Sequence, residues 1–297
     1  MKPAPFDYAA PDSLDAALAL KAEHGDDAKF LAGGQSLIPA MNFRLVLASL
    51  IVDVNRIPGL DFVEPASDGG LRLGGLARQR RLERDPLVAE RAPLLAETMP
   101  HVAHPQIRNR GTLGGSLAHA DPAAELPVIV VALQARLLAR SARGERWLWA
   151  ADFFQGLFTT ALAPDEMLVE IALPPLPTRT GTAFEEFARR RGDYALLGVA
   201  AVLTLGDSGD CRQARLVYLN AGEGPRDAPQ AAALLAGQPP SAAAFTAAAE
   251  YAALHEIEPM GSVHATPDYQ RHLARVLTRR ALTMAAHRAR QAAARLA

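Results

Sequence analysis

The 297-residue chain carries 31 basic against 32 acidic residues and is 49% hydrophobic, so it is long enough for two ordinary domains and apolar enough to bury their cores. A net charge of −1 excludes the global positive field that nucleic-acid binding uses. Cys211 is the one cysteine, which excludes a disulfide framework and any cysteine-ligated zinc or iron–sulfur centre within the chain.

Arg, Glu and Asp interrupt every apolar stretch, and Met1 to Asp7 holds no apolar signal core. The expectation is a soluble, cytoplasmic protein without a membrane span. In chain order, Ser13 before Leu14, Ala17 and Leu18 reads as a capped helix ending near Gly25. Ala28 to Leu31 reads as a strand running into Ala32-Gly33-Gly34-Gln35-Ser36-Leu37. Leu50 to Val54 and Leu71 to Leu76 are two further strands. From Asp85 to Ala103 the spacing of Leu87, Val88, Leu94, Leu95 and Met99 predicts a helix, ended by Pro105. The apolar run Val128 to Leu138 fits a helix turning into a strand, Ala135 to Trp149 a hairpin, and Met167 to Leu173 a strand.

Pro174-Pro175-Leu176-Pro177 suits a linker, because proline stiffens the chain and removes ladder donors. It divides the chain into units 1–177 and 178–297. Beyond it, Phe184 to Ala188, Leu196 to Leu205 and Ala214 to Leu219 read as strands, then Ala228 to Ala236 and Phe245 to His255 as helices. A last helix opens at Thr266-Pro267-Asp268 with a cap, an N1 proline and an acid. Strands and helices mix without strict alternation, which predicts an α+β fold.

Two stretches carry the candidate chemistry. Ala32 to Leu37 and Gly111-Thr112-Leu113-Gly114-Gly115-Ser116 each join a Gly-Gly pair to hydroxyl side chains. Glycine permits positive φ and close ligand approach, and successive free N–H groups make an anion-binding concavity. One Gly-Gly pair alone is an ordinary turn; two with adjacent hydroxyls suit a dinucleotide pyrophosphate. Neither is G-x-G-x-x-G nor G-x-x-x-x-G-K-[ST], which disfavours Rossmann and P-loop sites. Neither Ser36 nor Ser116 sits in G-x-S-x-G. His101, His104, His119 and Asp121 lack a metal-binding spacing, so no metal site is expected, and the two former histidines read as structural or surface residues. Tyr194, entering an apolar strand after Arg190-Arg191-Gly192-Asp193, reads as a half-buried strand-start tyrosine.

Phe30 to Pro39, Ile107 to Pro122, Gly192-Asp193-Tyr194-Ala195 and the run Tyr269 to Leu282 together resemble the FAD-binding medium subunit of the molybdenum hydroxylases. That group includes aerobic carbon monoxide dehydrogenase and xanthine dehydrogenase-like enzymes. The resemblance implies a two-subdomain FAD domain of the vanillyl-alcohol-oxidase (PCMH) type, then a small sheet-plus-helices C-terminal domain. It implies that residues 32–36 and 111–115 hold the FAD pyrophosphate. Asp121 would sit near the ribityl or ring end, and Leu168 and Tyr194 near the isoalloxazine ring. It also implies a large molybdenum-cofactor subunit and a small [2Fe-2S] subunit as partners, in a dimer of heterotrimers.

Some relatives place a flavin-bonding histidine where Gln35 stands, so FAD here is expected to be non-covalent. Some carry a lysine where Glu185 and Glu186 stand, which disfavours direct nicotinamide contact. The extra iron–sulfur cluster of the hydroxybenzoyl-CoA reductases cannot be held by Cys211 alone. The expected function is an electron relay from iron–sulfur clusters through FAD to an external acceptor, with no substrate-hydroxylating residue in this chain. A free-standing flavin oxidase or dehydrogenase and a cofactor-free scaffold are the alternatives. Valine at Gly114 or Gly115 is expected to abolish FAD retention and spare the fold.

Overall fold

The computed structural model describes residues 2–295. Its first unit comprises β1 (Asp7–Ala9), α1 (Leu14–His24), β2 (Ala28–Leu31), α2 (Leu37–Asn42) and β3 (Leu50–Asp53). The sheet order is β1-β3-β2, with both pairs parallel. Ser13 Oγ accepts the Ala16 N–H and starts α1; Gly25, at φ +52°, closes it. Ala17 and Leu18 of α1 bury against Leu50, Val52 and Val54. That packing leaves the β2–α2 turn at the edge of the sheet.

The second unit runs through β4 (Val63–Pro65), β5 (Leu71–Gly74), α3 (Gln79–Arg84), α4 (Pro86–Arg91), α5 (Pro93–Thr98), α6 (Pro105–Arg108), α7 (Leu113–His119) and α8 (Glu125–Ala132). It continues with β6 (Arg136–Ser141), β7 (Gly144–Trp149), α9 (Ala150–Phe153), β8 (Phe154–Gly156), β9 (Thr159–Thr160) and β10 (Met167–Leu173). Its antiparallel sheet is ordered β4-β5-β10-β6-β7. The single helix expected from Asp85 to Ala103 is instead α4, α5 and a 3-10 turn at Met99–His101. Pro93 and Pro100 cause the breaks, since each removes an N–H and crowds the preceding turn. The apolar face survives them: Val88, Leu94, Leu95 and Met99 are all buried. The Val128–Leu138 run does change from helix to strand, through Gln134 at φ +55°.

The third unit is β11 (Thr180–Ala188), β12 (Ala195–Leu205), β13 (Cys211–Leu219), β14 (Arg226–Asp227), α10 (Pro229–Ala233), α11 (Ala242–Tyr251), a π-helical turn at Ala252–Glu256, and α12 (Pro267–Ala294). The antiparallel sheet is ordered β11-β12-β13-β14. Both of its faces are covered. Leu197, Val199, Ala201 and Leu203 pack under α11 and α12, while Phe184, Ala200, Val217 and Leu219 join the core of the second unit. A strand buried on both faces reads as a continuous apolar run, as 195–203 does. Arg288 of α12 crosses the seam, donating to both carboxylate oxygens of Glu97 on α5 and to the Thr182 carbonyl.

Candidate functional site

The segment 32–37 is a true loop. Gly34 lies at φ +71°, a conformation that strains any residue with a Cβ. The loop is fastened from behind. Asn55 Nδ2 donates to the carbonyls of Leu31 (3.2 Å) and Ala32 (2.8 Å), and Arg78 donates to Asn55 Oδ1 and to the Arg110 carbonyl. Asn55 is itself oriented by Asp53, whose other oxygen accepts the Tyr8 hydroxyl at 2.6 Å. Gln35 Nε2 folds back onto the Gly33 carbonyl at 3.0 Å. Ser36 stands at the cap position of α2, yet its hydroxyl caps nothing. Among the described residues, the N–H groups of Gly33, Gly34, Gln35 and Ser36 have no protein acceptor. Successive unengaged amides beside a free hydroxyl have the donor chemistry a phosphate requires.

The segment 111–116 is a helix start rather than the loop expected. Thr112 caps α7, its Oγ1 accepting the Gly115 N–H at 3.1 Å. The Leu113 N–H goes to the Ala77 carbonyl (2.9 Å), that of Gly114 to Gly75 (2.8 Å) and that of Ser116 to Thr112 (3.2 Å). The first two of these bonds tie α7 to the chain after β5. The glycines serve close packing. A Cβ on Gly114 would stand 2.6 Å from the Gly75 carbonyl oxygen, and one on Gly75 would stand 2.3 Å from that of Leu168. The expectation that Gly114→Val spares the fold is overturned, because the obstacle is rigid backbone. At Gly115 the obstacle is the Thr112 hydroxyl at 2.7 Å, so substitution there disturbs the cap of α7.

The two glycine segments meet directly. A Cβ on Gly33 would lie 2.7 Å from the Gly111 Cα, and Ala32 faces Gly115. Gly111, Thr112, Leu113 and Gly114 are buried at this junction, whereas Gly115 and Ser116 remain half-buried.

Asp121 follows Ala120, which ends α7 at φ +51°, and its Oδ1 accepts the Ala123 N–H at 2.9 Å. Tyr194, expected half-buried, is 72% exposed just before β12, beyond a turn whose Gly192 lies against the His104 ring. Asn220 joins these two positions. Its N–H donates to the Pro122 carbonyl (2.8 Å) and its Nδ2 to that of Ala195 (2.8 Å). Gln270 in the first turn of α12 secures the join, donating to the carbonyls of Leu196 and Asn220. Leu168 is buried in the core of the second unit, its carbonyl against Gly75.

Sequence reasoning misses Asn55, Arg78 and Asn220, which have no local signal, and also a buried acid, Glu125. Burial, followed by the charge of Glu186, pushes the Glu125 carboxyl up to about 8. Its one local sign is an acid opening an apolar run. Glu186 pairs with His101 Nδ1 at 3.3 Å and raises that imidazole above its ordinary value.

Comparison with known proteins places this architecture. Residues 4–176 match the family described as the FAD binding domain in molybdopterin dehydrogenase. Residues 182–285 match the CO dehydrogenase flavoprotein C-terminal domain. The chain is 43% identical to the 6-hydroxypseudooxynicotine dehydrogenase complex subunit alpha of Paenarthrobacter nicotinovorans, over 98% of this chain and 97% of that one. It is 35% identical to the carbon monoxide dehydrogenase medium chain of Hydrogenophaga pseudoflava, over 96% and 98% of the two chains. The fold superposes on quinoline 2-oxidoreductase from Pseudomonas putida 86 with a TM-score of 0.92 and 37% identity, covering 97% and 99%.

Proposed function

The chain belongs to the FAD-binding medium subunits of the molybdenum hydroxylases, and from that premise we propose that it is the electron-relay subunit of such a complex. It takes electrons from iron–sulfur clusters in a small subunit and passes them through non-covalent FAD to an external acceptor. A large subunit carries the molybdenum cofactor and the substrate. The working assembly is a cytoplasmic dimer of heterotrimers. No helix among the described residues is long and apolar enough to cross a membrane.

The observation that carries this reading is the set of unengaged amides at 33–36 with the free Ser36 hydroxyl, in a loop whose Gly33 packs on Arg110 and Gly111 and whose Ala32 faces Gly115 of α7. These groups hold the pyrophosphate; Gly115 and Ser116 line its other side. Asp121 and Tyr194, joined through Asn220, take the ring end, with the Tyr194 ring shielding one face. Leu168 backs the site from β10. Gln35 offers no nucleophile for a covalent flavin link and instead braces its own loop. The FAD-holding unit is residues 1–177, and 178–297 closes the ring end. Bound FAD supplies the electron-carrying chemistry, and the chain supplies position and electrostatics.

An absorbance spectrum of the purified chain before and after acid precipitation tests the reading. A flavin spectrum released into the supernatant, with the mass of FAD, is the expected result. A colourless chain that takes up no FAD, alone or co-expressed with its partners, overturns it.

A further inference from the structure

Both tryptophans of the chain, Trp147 and Trp149, stand on β7 at the end of the second unit's sheet, 41% and 57% exposed. The site proposed for FAD uses neither. Alternation along the strand sets the side on which they lie. Leu148 and its cross-strand partner Leu137 face the core shared with Leu113 and Leu117 of α7. Trp147 and Trp149 face the other way, opposite Leu138 and Arg136 of β6. On that second face α1 reaches Leu138, which shares a core with Ala17 and Leu18, and Arg140, which pairs with Asp15 at 3.2 Å. Beyond them the Arg136 guanidinium lies over both indoles, 5.0 Å from the Trp147 ring centre and 5.9 Å from that of Trp149.

Two features of this strip call for a partner. The first is charge. The other arginines of the β6–β7 hairpin each hold a carboxylate: Arg140 that of Asp15, Arg143 that of Asp165 at 2.9 Å and Arg146 that of Glu166 at 2.7 Å. Arg136 has no ion pair or hydrogen bond among the described residues and only the indoles beside it. The second is backbone. β7 is six residues long, holds no proline and pairs with β6 alone. β4, at the other end of the sheet, has three residues and ends in Pro65. Shortness and proline keep an edge strand from pairing with another chain, and β7 has neither protection. Tryptophan and arginine are also the residue types that dominate binding energy at protein interfaces.

We propose that β7 is the docking edge for the large subunit of the complex, which adds an extended segment along this strand, lays apolar side chains on the two indoles and presents a carboxylate to Arg136. This rests on the function proposed above, which supplies the partner's identity. The sheet decides between the two partners. Electrons enter at the ring end, and Asp121 of that end follows α7, which packs on the face opposite the tryptophans. The small iron–sulfur subunit belongs at the ring end, so the tryptophan strip falls to the large subunit. The added segment gains main-chain hydrogen bonds from the unpaired edge, and its alternate side chains give specificity. The planar Arg136 fork suits a carboxylate held by two parallel hydrogen bonds.

Hydrogen exchange of the wild-type chain tests this, alone and co-expressed with each partner subunit. Amides of 144–149 should exchange at least about 10-fold more slowly once the large subunit is bound. On dilution of the assembled complex, Trp147→Ala with Trp149→Ala should raise the concentration at which the large subunit dissociates by about 30-fold or more. Arg136→Glu should raise it by about 10-fold, and Arg136→Lys by less. FAD uptake and Tm of these exposed-site variants should stay close to wild type. Protection of β7 by the small subunit alone, protection in the chain alone at high concentration, which marks a second copy, or equal dissociation of wild type and the double variant overturns the proposal. An assembly whose β7 is protected by the large subunit but which takes up no FAD would sink the electron-relay function and leave the docking edge standing.

Discussion

The two glycine segments look alike as text and do opposite work. In 111–116 every N–H group except that of Thr112 is engaged within the protein, and glycine is required because Gly75 and Gln79 leave no room for a Cβ on Gly114 and Gly111. In 32–36 the N–H groups are free, and Gly34 is required for its positive φ. One segment is a packing joint, and the other is the anion cradle proposed above, which the joint holds in place. A glycine pair near a phosphate site therefore does not identify which backbone meets the phosphate.

That contrast predicts a graded set of outcomes. Gly114→Val should be the most damaging, because a β-branched side chain meets the Gly75 backbone. A cost of about 3 kcal/mol or more is expected, or roughly a 10 °C fall in Tm. Thermal unfolding of the apoprotein checks it, and a Tm equal to wild type would remove the distinction between the segments. Gly34→Val should separate the two properties. Its backbone strain costs about 1–2 kcal/mol, so the fold survives, while FAD affinity falls by about 100-fold, equivalent to two lost charge-assisted hydrogen bonds. Titration with FAD decides, and full occupancy in this variant would move the phosphate elsewhere.

The smallest effects sharpen the comparison furthest, because two hydroxyls should part company. Ser36→Ala should weaken FAD about 10-fold with an unchanged Tm, since its hydroxyl caps nothing in the protein. Thr112→Ala should cost about 1 kcal/mol of stability through the lost cap and weaken FAD less than Ser36→Ala does. Paired melting and FAD titration of the two variants should give this crossed pattern. The reverse pattern would assign the cradle to α7.

Much of the molecule is legible in its residue order. Ser13, Thr112 and Thr266 each cap a helix through their own side chains, although the glycines after Thr112 disguise its helix as a loop. The strands at 28–31, 136–141, 144–149 and 167–173 lie where alternation and turn residues put them. The helix expected over 85–103 fails because its periodicity hides two prolines that divide it. The Gly-Gly motifs locate the candidate site, but the residues that hold its geometry are not legible. Asn55, Arg78, Asn220 and Gln270 act through bonds to carbonyls far along the chain, and any residue has a carbonyl.

The sequence by itself determined most of the elements, the α+β class and the membership of one family, because capping, alternation and proline act within a few residues and leave a local record. Only the tertiary structure decided which glycine amides stay free, that Gly33 and Gly111 touch, and that Glu186 meets His101. Whether an amide is engaged and whether a carboxylate is desolvated depend on what other segments bring to them, and spacing along the chain does not encode that.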